Sequence, residues 1–197
     1  MPPPVIELFY DYADPASYLV ELHLHEVVAL AELSVAPRPF EARPPGTPLA
    51  RTPAPGADST WDELRERARE IDARLEPPVL LPRTRKAHEL ALHARESGGF
   101  RPVHGEIFRA LWHEGRDVGR VDVLVEIAVA AGLDRSGTKA VLDVDKYASL
   151  VVAERRRGER LGVERVPTLL AGGDALEGFH PAEEILNFLR RAVPDLS

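Results

Sequence analysis

Apolar positions change their period along this chain, and the changes mark out its elements. Residues 5–10, Val-Ile-Glu-Leu-Phe-Tyr, are short, β-branched and aromatic, and predict a mostly buried strand. After Asp11-Tyr12-Ala13, Asp14 suits a helix N-cap, and Pro15 suits the first helical position, where its missing N–H costs nothing. From Ser17 to Leu33 there is no Gly or Pro, which predicts one long helix. Val35 to Phe40 predicts a second strand that Pro37 and Pro39 confine to an edge or a bulge. Residues 43–59 hold five prolines (Pro44, Pro45, Pro48, Pro53, Pro55) and two glycines, the composition of a semi-rigid connector.

Helical periodicity then takes over. Thr60 with Glu63 reads as a capping box, and Trp61, Leu64, Ala68, Ile71 and Leu75 form one apolar stripe. Pro77, Pro78 and Pro82 break it. Further helices are predicted over Thr84–Ser97, Pro102–Trp112, Val121–Ala131, Asp134–Leu142 and Asp145–Leu161. A period of two returns at Val166–Ala171. Gly172-Gly173-Asp174 predicts a hairpin turn, with Ala175–Glu177 as the partner strand. Pro181–Val193 predicts a last amphipathic helix. The order is β-α-β, a helical block, then helix-β-β-α. The two ends can form one central mixed sheet flanked by helices, which the helical block cannot join. The expected class is α/β, a thioredoxin fold with a large all-helical insertion. The expected division is a thioredoxin-like domain over 1–43 and 145–197, an insertion over 58–144 and a Pro-rich connector over 44–57.

Length fits this plan, since 197 residues suffice for a small domain with a large insertion. Against 25 Lys and Arg stand 32 Asp and Glu, a net charge of −7, which disfavours nucleic acid or anionic membrane as the main partner. No apolar run is long enough for a membrane span, and residues 1–14 lack the basic start and apolar stretch of a signal peptide, so a cytoplasmic location is expected. There are no cysteines, which excludes disulfides, thiolate metal sites and a thiol nucleophile. The histidines predict no metal site. His23 and His25 diverge by ~200° on a helix, and His88 and His93 are spaced five apart, where the zincin pattern needs four. Arg155, Arg156, Arg157 and Arg160, interleaved with Glu154 and Glu159, predict a solvated, salt-bridged face.

Three stretches resemble one family. Asp11-Tyr12-Ala13-Asp14-Pro15-Ala16-Ser17-Tyr18-Leu19 resembles the active-site turn of cytoplasmic DsbA-like (FrnE-like) proteins, which carry Cys-Pro-x-Cys-Tyr there. It is also similar to the Ser-Pro-x-Ser-Tyr turn of 2-hydroxychromene-2-carboxylate isomerases and kappa-class glutathione transferases. Residues 108–119, running on to 131–134, resemble the helical-insertion signature of that group. Gly162 to Thr168 resembles its cis-proline loop, followed by Gly178-Phe179-His180-Pro181 before the last helix. Pro82-Arg83-Thr84 with Ala87-His88 is a fourth likeness, with Arg83 where Asn is usual. The resemblance covers nearly the whole chain. It implies a cis Val166–Pro167 bond beside the start of the first helix, a homodimer, catalytic positions at Asp14, Ser17 and Asp11, and ligand contacts from Tyr12, Tyr18, Val166, Pro167, Arg165 and His88.

The reactive positions are altered, because Asp14 and Ser17 stand where the paired cysteines or serines would be. Asp14 reads either as a plain N-cap contributing ~1 kcal/mol or as a general base with Asp11 as partner. Asp11 also suits a turn-supporting role. An ionised Asp14 would repel a thiolate. Like charges ~4 Å apart cost on the order of a few kcal/mol at intermediate dielectric, about two decades or more of affinity. Tyr12 and Tyr18 can donate to a ligand or simply pack, and Arg165 can bind a carboxylate or lie on the surface. The leading expectation is a redox-inactive family member. Its cleft, formed by Asp11–Ser17, the Pro-rich loop and Val166–Pro167, binds a small acidic or aromatic molecule or is vestigial. The alternatives are an isomerase or transferase dependent on glutathione or another low-molecular-weight thiol, and a non-enzymatic interaction protein.

Overall fold

A computed structural model describes residues 6–31 and 34–193, the side chains of 25–31 excepted. Val5 of the predicted first strand, the predicted helix end at Leu33 and the His25 side chain lie outside the described residues. The chain divides into two compact units, Met1–Ala42 with Glu154–Ser197, and Arg43–Ala153.

The first unit is built on a four-stranded sheet in the order β2-β1-β3-β4. β1 (Ile6–Tyr10) is central and buried at all five positions, Glu7 among them. β2 (Val35–Pro39) pairs with it in parallel, with Leu8 opposite Pro37 and Tyr10 opposite Pro39. The Phe40 N–H donates to the Tyr10 carbonyl at 2.9 Å. Backbone groups alternate sides along a strand, so Ala36, Arg38 and Phe40 face β1 and the two prolines face outward. Their missing N–H groups remove no ladder bond, which is why this edge strand tolerates them.

β3 (Thr168–Ala171) runs antiparallel to β1, with Thr168 opposite Phe9 and Glu7 opposite Leu170. It starts two residues later than the apolar run predicts, because Pro167 has no N–H to pair and its bond to Val166 is cis. β4 (Asp174–Glu177) completes the hairpin. Its two-residue turn, Gly172-Gly173, has φ of 59° and 98°, the left-handed pair that such turns demand. Gly172 is required twice over, since a Cβ there would lie 1.9 Å from the Ala192 carbonyl oxygen at the end of the last helix.

α1 (Pro15–Ala31) carries Asp14 as its cap and Pro15 at its first position, as the sequence predicts. The helices of the second unit are α2 (Ser59–Glu70), α3 (Arg85–Glu96), α4 (Phe100–Trp112), α5 (Val121–Ala130) and α6 (Arg135–Asp143). The cap of α2 is Asp58 rather than Thr60, and its carboxylate accepts the Trp61 N–H at 3.0 Å. α4 starts at Phe100, ahead of the predicted Pro102, because first-turn N–H groups have no helical acceptor and a proline there loses nothing. Trp112, Phe108, Ile107, Leu111 and Leu90 are among the largest buried side chains of this unit.

α7 (Ala148–Arg160) starts three residues later than predicted and runs across the division between the units. Asp145 takes a left-handed φ of 54°, which ends any helix there. That turn is held from α3. Lys86 contacts Asp145 at 2.5 Å and the Leu142 carbonyl, and the buried Glu89 accepts the Tyr147 N–H at 3.1 Å. α8 (Ala182–Ala192) closes the first unit, burying Ile185, Phe188 and Leu189.

Candidate functional site

The turn from β1 into α1 is organised by Asp11. Its side chain is buried, with 1% exposed. Oδ2 accepts the Ala42 N–H at 2.8 Å, and Oδ1 accepts the Ala13 N–H at 3.3 Å. One carboxylate therefore fastens the turn to the chain leaving β2. The Asp14 N–H closes the turn onto the Asp11 carbonyl at 3.2 Å.

Asp14 then begins α1. Its Oδ2 accepts the Ser17 N–H at 2.6 Å, and its carbonyl accepts the Tyr18 N–H at 3.3 Å, the arrangement of a helix N-cap. The helix end that would face an anion is thus bonded to a carboxylate of its own chain. Ser17 is wholly buried, and its Oγ accepts the Asp11 N–H at 3.4 Å. Asp11, Asp14 and Ser17 form one hydrogen-bonded turn in which each carboxylate bonds to backbone N–H groups.

Two aromatics of the same stretch are buried. Tyr12 is buried edge-on against Tyr10, with ring centroids 5.2 Å apart and hydroxyls 3.4 Å apart. Tyr18 is 3% exposed, and burial pushes its phenol up to about 12, so it stays protonated and able to donate.

The Val166–Pro167 bond is cis, as the resemblance implies. Because Thr168 lies opposite Phe9, the register puts Pro167 level with the end of β1, where the chain turns into α1. The Pro167 carbonyl accepts the Gly178 N–H at 2.8 Å, and the Thr168 hydroxyl donates to the Arg165 carbonyl at 2.8 Å. Pro167 and Val20 of α1 line one small apolar hollow with Leu8, Leu169, Leu176 and Ile185. Val166 packs on Phe9, Phe40 and Val163.

Two predicted positions remain. Arg165 is 72% exposed in its side chain, with Nε 3.3 Å from Glu177 Oε2. His88 is buried in α3 of the other unit.

A charged cluster in the first unit escaped the sequence reading. Glu7 is buried on β1, with Oε1 2.6 Å from Arg38 Nε and Oε2 2.7 Å from Arg157 Nη2. Burial pushes its carboxyl up, but the hydrogen bonds from Arg157 and Arg38 outweigh that and hold it below the ordinary value of 4.5. Arg155 donates to the Glu41 carbonyl at 2.8 Å. The guanidinium carbons of Arg155 and Arg157 lie 5.5 and 5.8 Å from the Phe40 and Phe9 ring centres. Arg155 and Arg157 are therefore half-buried, contrary to the predicted solvated face, while Arg156 and Arg160 are exposed. The signal was Gly158, a glycine inside a helix. A Cβ there would lie 3.0 Å from atoms of both phenylalanine rings, so the helix must come unusually close to the sheet.

Among the described residues no helix is long and apolar enough to cross a membrane, and no three His, Asp or Glu side chains are grouped to hold a metal ion.

A model of the DsbA-like thioredoxin domain matches residues 5–190. The fold is similar to that of a probable DsbA oxidoreductase from Streptomyces coelicolor, with a TM-score of 0.85 at 24% identity over 98% of this chain and 91% of that one. It is similar to 2-hydroxychromene-2-carboxylate isomerase, with a TM-score of 0.74 at 17% identity over 98% and 99% of the two chains. It is similar as well to the cytosolic disulfide reductase DsbM of Pseudomonas aeruginosa, solved with glutathione, with a TM-score of 0.69 at 16% identity over 98% and 96%. Disulfide exchange needs a thiol, and this sequence contains none. With its cis-proline loop, its capped first helix and its helical insertion, the chain belongs to the DsbA-like thioredoxin domain family.

Proposed function

We propose that this protein is a cytoplasmic, redox-silent member of its family that binds a small molecule where the Asp11–Ser17 turn meets the Val166–Pro167 loop. The observation that carries the reading is the 2.6 Å bond from the Ser17 N–H to the Asp14 carboxylate. The N–H that a thiolate would seek is already bonded, and the bonding group is itself an anion. A thiolate ligand is therefore disfavoured. With a carboxylate fixed at the helix start, the favoured ligand is an aromatic one whose acidic group, where it has one, points away from Asp14. By family resemblance the protein is a homodimer, so light scattering should return about twice 21.7 kDa.

The test is calorimetric titration of glutathione, and of a panel of small aromatic carboxylates, into the wild type and Asp14→Asn. Asparagine keeps the cap and removes the charge. The wild type should take up a member of the aromatic panel but no glutathione. Asp14→Asn should gain glutathione affinity by about a hundredfold or more. Wild-type glutathione binding as tight as the variant's would overturn the reading. It would favour instead a glutathione-dependent isomerase or transferase, the reading that DsbM's bound glutathione supports.

A further inference from the structure

The segment Gly178-Phe179-His180-Pro181 joins β4 to α8, and the candidate site makes no direct use of its histidine. The His180 ring spans two acceptors. Nδ1 lies 2.8 Å from Glu184 Oε2, and Nε2 lies 2.9 Å from the Glu177 backbone carbonyl. A carboxylate and a carbonyl can only accept. A neutral imidazole carries one N–H and holds one of them, whereas the imidazolium carries two and holds both. Both contacts together need two N–H groups, which only the imidazolium has.

The start of this segment and the residue before it are tied to the cis-proline loop. The Gly178 N–H donates to the Pro167 carbonyl at 2.8 Å. One residue earlier, at the end of β4, the Glu177 carboxylate lies 3.3 Å from Arg165 Nε. The Phe179 ring, between these ties and His180, packs on His23 of α1 with centroids 5.3 Å apart. Among the described residues, the charged and titratable groups on the elements next to the ring are Glu177 and its partner Arg165 on β4 and the loop, Glu184 against the ring and Glu183 beside it in sequence in the first turn of α8, and His23 of α1 on Phe179.

We propose that His180 is a proton-operated latch on the cis-proline loop, closed as the imidazolium and opened by loss of one proton. Which bond opens follows from the acceptors. The N–H facing the Glu184 carboxylate is charge-assisted and the stronger of the two. The neutral ring therefore keeps Nδ1–H, and its bare Nε2 faces the Glu177 carbonyl, lone pair to lone pair. That repulsion falls on the residue next to Gly178, whose N–H holds Pro167. Loss of that proton loosens the loop, and its return fastens the loop. The latch stands on the His180 geometry alone. Its bearing on ligand uptake rests on the proposed cleft, so the test reads the loop and uses no ligand.

Imidazole and amide nitrogens are followed by NMR on the labelled full chain from about pH 5 to about pH 9. The His180 ring should pass from two N–H groups to a single one on Nδ1. Across the same transition, the protection factor of the Gly178 amide, corrected for intrinsic exchange, should fall about tenfold, the loss of roughly one hydrogen bond. In His180→Gln, Gly178 protection should not vary with pH. In Glu184→Gln, the neutral ring should no longer favour Nδ1–H, and the fall should shrink or vanish. Three results would overturn the proposal: constant Gly178 protection while His180 loses its proton, a neutral wild-type ring that keeps Nε2–H, or an undiminished fall in His180→Gln.

Discussion

Replacing Asp11 by alanine separates a structural carboxylate from a catalytic one. In the folded chain Oδ2 accepts from Ala42 at 2.8 Å and Oδ1 accepts from Ala13 at 3.3 Å. A hydrogen bond to a charged group contributes about 1.5–3 kcal/mol net, and a buried donor left unpaired costs about 1–3 kcal/mol. The Ala42 bond has good geometry and belongs near ~2 kcal/mol, even though water can reach that half-buried residue. The Ala13 bond is long and contributes nearer ~1 kcal/mol. Asp11→Ala should therefore cost about 3 kcal/mol, which at about 2–4 °C per kcal/mol lowers Tm by roughly 6–12 °C. Asp11→Asn keeps one acceptor oxygen but turns an NH2 toward the second N–H, and should cost about half as much. Thermal melting gives the magnitude, and hydrogen exchange locates it, because the Ala13 and Ala42 amides should lose protection together. A loss below about 1 kcal/mol with both amides still protected would refute the clasp and leave the carboxylate free for chemistry.

Three further outcomes follow from the packing. Gly158→Ala in mid-helix would ordinarily gain about 1 kcal/mol, but its Cβ meets Phe9 and Phe40 at 3.0 Å. Overpacking should reverse the sign to a net loss of about 1 kcal/mol, and a stabilised variant would show that the rings yield freely. Glu7, held below its ordinary 4.5, contributes stability above that pH and loses it as the pH falls through the depressed value. Acid melting of the wild type should therefore be steeper than that of Glu7→Gln, which should itself be about 2–3 kcal/mol weaker at neutral pH; parallel acid curves would refute this. Val20→Ile adds one methylene toward the hollow beside Pro167 and should gain about 0.5 kcal/mol by thermal melting, whereas a loss of about 1 kcal/mol would mean the hollow is too tight.

What the sequence revealed was local. The Asp14-Pro15 start of α1, the diglycine hairpin and the proline-bearing edge strand each depend on neighbours a few positions away, and each was legible. The cis bond at Pro167 came through family resemblance, since no local propensity dictates it. What stayed hidden depends on distant partners. Asp11 bonds to a residue 31 positions away, and Glu7 to an arginine 150 positions away. No periodicity separates Arg157, drawn inward by that carboxylate, from Arg156, left in water beside it. The start of α7 departs from its local pattern for the same reason, because the turn at Asp145 is shaped by Lys86 and Glu89 on α3. At the candidate site, chemistry was plain from composition, since a chain without thiols cannot exchange disulfides. The engagement of both carboxylates with backbone N–H groups required the fold.

One helix, α7, belongs to both units, with the division falling between Ala153 and Glu154. Its first half buries Val151 beside Tyr147 and Leu92. Its second half carries Arg157 and Gly158 to the sheet. The insertion is for that reason no detachable cassette. Excising residues 43–153 would leave a seven-residue stump (Glu154–Arg160), well short of the roughly 12–15 residues at which an isolated helix begins to hold in water. Lineages that shorten this protein are thus expected to trim loops and keep α7 whole, and an engineer grafting the insertion elsewhere must take the entire helix with it.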